Sequence, residues 1–265
     1  MRIVLTNDDG YQAAGLRALY QAAAALGDVE ISIIASEQAF SGKGHVVSST
    51  VRVRREKHPD FASLFIVDGA PADCTRLAVA MPNHPRPDYV LSGITHGGNL
   101  GVDIFYSGTV AAAREAAILG IPAIAVSQLT RTGVENDWSR STAHAAAVIA
   151  ALLRPDHSPP FIADQHTFAR ARHALETSPE TRPTPTHAAL WNVNLPCVQG
   201  PHHAPDVVLV PASTDHLVIH YQHHALENGV QQYDYSGNYH DRLAAPGTDV
   251  AAVFAGAIAI SPLPL

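Results

Sequence analysis

The chain has 265 residues, 46% hydrophobic and 15% charged, enough apolar material for one large domain, or for one domain with an arm. Its net charge of −7 argues against a general attraction to nucleic acid polymers. No run of about 18 uncharged apolar residues occurs, so no membrane span is expected. The opening residues lack a basic segment followed by an apolar one, and Cys74 and Cys197 form no C-x-x-C pair. Both features suit a cytoplasmic protein.

Arg2–Thr6 reads as a buried strand that runs into Asp8-Asp9-Gly10. Adjacent carboxylates repel, and a proton or a cation relieves the repulsion. Open α/β folds bind ligands at the carboxyl ends of their strands, so the pair suggests a site for a hard metal. Oxygen ligands without cysteine favour magnesium or manganese over structural zinc. Asp-Gly is also a common turn pair, and a plain strand and turn account for the segment equally well.

A helix follows over 12–26, with Leu16, Leu19, Tyr20, Ala23 and Leu26 on one stripe and Gly27 as its stop. Val29–Ala35 is a second strand. Residues 36–48 form a polar loop containing Ser41-Gly42-Lys43-Gly44-His45. Its glycines permit close approach to a ligand, although it is too short for a P-loop and also fits a flexible turn. Short strands are predicted at Val51–Arg54 and Leu64–Val67, and a helix over 72–80 after Pro71.

Tyr89–Ser92 is the next strand, followed by a glycine-rich loop over 93–108. A helix over Thr109–Leu119, a strand at Pro122–Ser127 and a helix over 139–153 follow. This alternation predicts an α/β fold, a mostly parallel sheet flanked by helices. Ser107-Gly108-Thr109 opens a helix, where free N–H groups and hydroxyls can hold a phosphate. The same residues favour N-capping, and the two roles are compatible.

Pro155, Pro159, Pro160, Pro179, Pro183 and Pro185 punctuate 154–187, which predicts a surface insertion with one short helix near 161–175. Leu190–Leu195 resumes a strand. Val207–Val210, Leu217–Tyr221 and Gln231–Tyr235 are strand-like runs without intervening helices and predict an extended hairpin arm. Ala251–Ile260 is predicted as the last strand.

The domain plan is a core over 1–200 that includes the 154–187 insertion, an oligomerising arm over 201–248, and a return to the core over 249–265. Seven of the sixteen histidines fall between His202 and His240. His220-x-x-His223 could bind zinc, but without H-E-x-x-H or paired cysteines a solvated or inter-subunit role is favoured. His45 and His96 lie in the two glycine-bearing loops and are candidates for acid–base or substrate contacts.

Seven pieces occur in order: T-N-D-D-G (6–10), S-G-x-G-H (41–45), V-D-G-x-P-A-D-C (67–74), S-G-I-x-x-G-x-N-L-G (92–101), Y-S-G-T-V-x-A-A (106–113), N-V-N-L-P (192–196) and G-T-D (247–249). Together they resemble the SurE survival-protein nucleotidases over nearly the whole chain except 154–187. The resemblance implies a Rossmann-like core with a C-terminal arm exchanged between subunits in a homodimer or tetramer. It implies one divalent metal ion per subunit and hydrolysis of nucleoside 5′- and 3′-monophosphates. By position, Asp8, Asp9 and Ser41 resemble metal ligands. The family's fourth ligand is an Asn in S-G-[IV]-N, where this chain has Thr95; Asn99 matches a different Asn of the motif.

On this reading Asp8 or Asp9, with Asp8 preferred, is the general base for direct attack by water. Gly42, His45, Asn99, Ser107, Gly108 and Thr109 contact phosphate or substrate. An aspartyl-phosphate enzyme is a rival, although its acids usually stand as D-x-D. A zinc de-N-acetylase also ends its first strand in Asp-Asp, but the His expected before the pair is absent. The missing Asn at 95 keeps open a third alternative, a metal- or nucleotide-binding regulator without catalysis.

Overall fold

The computed structural model describes residues 1–154, 162–178, 188–197 and 204–265. In chain order the first elements are β1 (Arg2–Thr6), α1 (Ala14–Ala24), β2 (Glu30–Ser36), β3 (Arg52–Glu56), β4 (Leu64–Asp68) and α2 (Pro71–Ala80). Then come β5 (Tyr89–His96), α3 (Gly108–Ile118), β6 (Ala123–Gln128), α4 (Trp138–Leu153), α5 (Gln165–Thr177) and β7 (Leu190–Leu195). The chain continues through β8 (Val207–Leu209), β9 (Tyr221–Ala225), β10 (Gln231–Tyr235), α6 (Asp249–Phe254) and β11 (Ile258–Pro262).

Nine strands make one sheet in the order β3-β4-β2-β1-β5-β6-β7-β11-β8. The centre is parallel, whereas β3 and β11 enter antiparallel to β4 and β7. This is the expected α/β architecture. Successive side chains of β1 face opposite layers. Ile3 and Leu5 pack with α1, α4 and α5, while Val4 packs with α2 and α3. Strands covered on both faces are apolar throughout, as Ile3-Val4-Leu5 is.

Three elements differ from the sequence reading. Strand β5 continues past Ser92 to His96, absorbing Gly93 through a register shift against β6 between Gly93 and Thr95. Helix α5 is not a surface feature. Its Thr167, Phe168, Ala171, Ala174 and Leu175 are buried, and Phe168, Ala171 and Leu175 join the main core. Burying Phe168 and Leu175 contributes about 1.5–3 kcal/mol each. The flanking 155–161 and 179–187 lie outside the described residues. The predicted strand over Ala251–Ile260 is instead α6 followed by β11.

In the arm region, Val207–Leu209 belongs to the main sheet, parallel to β11. Residues 217–220 are not strand, and the hairpin proper pairs β9 with β10, Tyr221 opposite Tyr235 and Ala225 opposite Gln231. Every residue of that pair is exposed.

Candidate active site

The carboxyl ends of β1 and β5 lie side by side, with Thr6 opposite Ser92. The turn after β1 therefore faces the end of β5, and this places Asp8 and Asp9 beside Thr95 and His96. The Thr95 hydroxyl donates to Asp9 Oδ2 at 2.9 Å, and the His96 backbone N–H donates to the same oxygen at 3.1 Å. Bulges re-aim side chains beside active sites, and the shift between Gly93 and Thr95 stands directly before this contact.

Asp8 is 4% exposed and accepts a short hydrogen bond from the Thr109 hydroxyl at Oδ1. Burial pushes its carboxyl above the usual range, and neighbouring Asp9 adds to that; hydrogen bonds from Thr109 and Thr95 pull the other way. A buried carboxyl beside a second, half-buried one calls for a proton or a metal ion. Two carboxylates with the Thr95 hydroxyl beside them form a hard oxygen set, which fits magnesium or manganese.

Ser41 reaches the area through its loop. The Phe40 N–H donates to the Asp8 carbonyl at 2.7 Å, and Gly10 abuts the backbone of 37–39. The Gly44 N–H donates to the Tyr106 carbonyl at 2.9 Å, which ties the loop to the segment before α3. His45 Nε2 lies 2.7 Å from Glu115 Oε2, and Arg76 Nε donates to Glu115 Oε1 at 2.6 Å. His45 is thus fixed to a carboxylate on α3.

The start of α3 meets Asp8. A Cβ on Gly108 would lie 2.7 Å from the Cβ of Asp8, so only glycine permits this approach. Ser107 caps the helix, its Oγ accepting from the Val110 N–H at 3.0 Å. The hydroxyls of Ser107 and Thr109 therefore both have partners within the protein, and the backbone N–H groups of the first turn remain for an anion. Asn99 is held in a network: its amide nitrogen donates to Ser127 Oγ at 2.7 Å, and its backbone bonds Asn192 and Asn194.

A family model described as "Survival protein SurE" matches residues 3–216. The chain belongs to the SurE family. It is similar to a Synechocystis sp. protein provisionally named a 5′-nucleotidase, with 36% identity over 263 residues, 99% of each chain. It is 45% identical over 149 residues to the 5′-nucleotidase SurE of Geotalea uraniireducens, covering 56% of this chain and 57% of that one. The crystal structure of the SurE protein from Aquifex aeolicus superposes with a TM-score of 0.72 at 27% identity, over 99% of this chain and 93% of the other.

One contact of this chain carried no local signal in the sequence. Asp103, just before α3, forms a two-pronged pair with Arg242 at 2.7 and 3.1 Å, 139 positions away. The Tyr239 hydroxyl lies 3.0 Å from both Asp103 Oδ2 and the Gly98 carbonyl, donating to one at a time. The base of the arm is thereby latched to the glycine-rich loop after β5. The Glu115–Arg76 pair was equally hidden, its partners 39 positions apart.

A cavity of about 660 Å³ lies elsewhere. Gly27, Asp28, Glu30, Ser63 and Asn83 place it at the amino ends of β2 and β4, on the edge opposite Asp8. Size alone points to the wrong end of the sheet.

Proposed function

We propose that the protein is a cytoplasmic, divalent-metal-dependent phosphatase that hydrolyses nucleoside 5′- and 3′-monophosphates and works as a homo-oligomer. The observation that carries this reading is the contact of Asp8 with Gly108 and Thr109. It puts a carboxylate suited to a cation against a helix start suited to a phosphate. The 5′-nucleotidase names of the relatives supply the substrate class; the 3′ activity rests on the family resemblance.

Asp8, Asp9, Ser41 and Thr95 would hold the metal. When bound, the ion neutralises phosphate charge and makes water a better nucleophile. Thr109 orients Asp8 through Oδ1, leaving Oδ2 beside Gly108 as the oxygen assigned to take the proton from the attacking water. The first-turn N–H groups of α3 hold the phosphoryl oxygens as charge develops.

Phosphate release from a panel of 5′- and 3′-nucleoside monophosphates, with manganese and with chelator, tests the reading. Turnover that chelator abolishes and manganese restores is expected. Tight metal and nucleotide binding without turnover would replace the enzyme with a binding regulator.

A further inference from the structure

The cavity of about 660 Å³ at the amino ends of β2 and β4 arises from a mismatch between strands. Strand β2 pairs with β1 from Glu30 onward, but with β4 only from Ile33, which stands opposite Leu64. Over Glu30–Ser32 the sheet therefore has no neighbour on the β4 side. The Glu30 N–H donates to the Met1 carbonyl at 2.9 Å, toward β1, and the Ile33 N–H donates to the Ser63 carbonyl at 2.9 Å, toward β4. By the alternation of a strand, the Ile31 N–H and C=O also face β4. Nothing bonds them there among the described residues. Unpaired strand groups of this kind are a template for another chain.

The walls of the notch carry charges that the protein leaves unpaired. On β3, Arg52 is paired with Asp68, and Arg54 with Glu37 and Glu56. Arg55 has no acid partner among the described residues. Its guanidinium lies 5.8 Å from the centre of the Phe65 ring, opposite which it stands in the β3–β4 pair. At the start of β2, the carboxylates of Asp28 and Glu30 have no cation partner among the described residues. Glu30 precedes Ile34 by four residues, about 13 Å of strand, and Ile34 stands two strands, about 10 Å, from Arg55. A ligand for both ends therefore carries its ammonium and carboxylate groups well apart, as an extended peptide does.

We propose that this notch binds a free short peptide of about two or three residues, laid along β2 as an added piece of parallel strand. Its main chain bonds the Ile31 N–H and C=O. Its ammonium group meets Asp28 and Glu30, and its carboxylate meets Arg55. The parallel direction follows from the charges, because the acids stand at the amino end of β2. Alternate side chains of the peptide meet Tyr20, which packs with the α1 layer, and Phe65, which packs with the α2 layer. A site that reads both termini selects a free peptide over an internal segment of a protein. It lies at the sheet edge opposite Asp8 and does not depend on the phosphatase reading.

The test uses the full-length protein and the tripeptide Ala-Leu-Ala, free, N-acetylated or C-amidated, titrated by saturation-transfer NMR. The free peptide should bind, and each blocked form should bind about threefold more weakly or worse, the range of an exposed ion pair. Arg55→Gln should weaken the free peptide as amidation does and leave the amide unaffected. Asp28→Asn with Glu30→Gln should bear the same relation to the acetylated form. All three side chains are exposed, so melting temperatures should match the wild type. Saturating peptide should also slow hydrogen exchange at Ile31, which a ligand held by charge alone would not do. Absence of binding by the wild type at millimolar peptide overturns the proposal. Equal binding of the three peptides, or unchanged exchange at Ile31, overturns it as well.

Discussion

At the scale of single residues, the candidate site sets the buried carboxyl of Asp8 beside the half-buried one of Asp9. Replacing Asp8 or Asp9 with Asn should lower turnover at least about a hundredfold, because a charged ligand or base is lost. The variants should fold, since neutralising one acid removes repulsion in the metal-free protein. Wild-type rates from both in excess manganese would remove these residues from the chemistry. Thr95 stands where the family resemblance implies an Asn. Its hydroxyl is bonded to Asp9 and acts on Asp8 as well. Thr95→Asn offers a longer-reaching carbonyl oxygen and should tighten manganese binding, whereas Thr95→Val should weaken it. Each shift should be on the order of 1 kcal/mol, because water can replace a neutral ligand. One half-saturating manganese concentration for all three proteins would place Thr95 away from the ion. The acids were legible in the sequence because their contact is local. The Glu115–Arg76 and Asp103–Arg242 pairs were not, because no spacing rule relates residues that meet only through the folded sheet.

At the scale of elements, the alternation of strands and helices was readable through α4 because the central strands are apolar and α1 and α3 end at glycines. The misreadings have physical causes. Gly93 looks like a strand terminator, but the bulge lets the backbone pass and β5 continue. The prolines around 154–187 made the helix near 161–175 look like part of a surface insertion, whereas the apolar residues of α5 fall at helical spacing on one buried face. Ala251–Val253 is apolar enough for a strand, yet Asp249 accepts from the N–H groups of Gly101, Ser213 and Val250 and fixes a helix start.

Helix α5 is joined to α4 by His144, whose Nδ1 lies 2.8 Å from Asp164, the N-cap of α5. Burial holds the imidazole below its ordinary pKa, although Asp164 pulls it upward. Its Nε2 is buried without a partner among the described residues. The unfolded chain takes up this proton near pH 6.5, about the reference value, and the folded chain only at lower pH. The stabilisation is therefore complete above that pH and lost as pH falls through the folded pKa. His144→Asn keeps an N–H for Asp164 and cannot titrate. Its melting temperature should decline less than that of the wild type between pH 7 and pH 5; parallel curves would show that His144 does not titrate there.

At the scale of the whole molecule, the arm is what the core cannot cover. Tyr221, Tyr233, Tyr235, Ile219, Leu226 and Val230 are all exposed on or beside the β9–β10 pair. A lone two-stranded hairpin is marginal in water, so a second subunit is expected to cover it. Light scattering at micromolar concentration should give a dimer or larger, and a monomer mass would rule out the exchange. The same sheet also constrains the order in which the protein can be completed. Strand β8 pairs with β11, which lies between it and β7. During synthesis, Val207–Leu209 leaves the ribosome well before Ile258–Pro262 and must wait for it. A chain stopped after Gly256 should show hydrogen exchange protection in β1, β2 and β5 but none in β8; protection of β8 would mean that it docks without β11. The β8 edge of the sheet then closes only after β11 has been made, and the arm between them gains its footing at that point. If arms are exchanged between subunits, the exchange is then expected only after the β1, β2 and β5 region of each chain has folded.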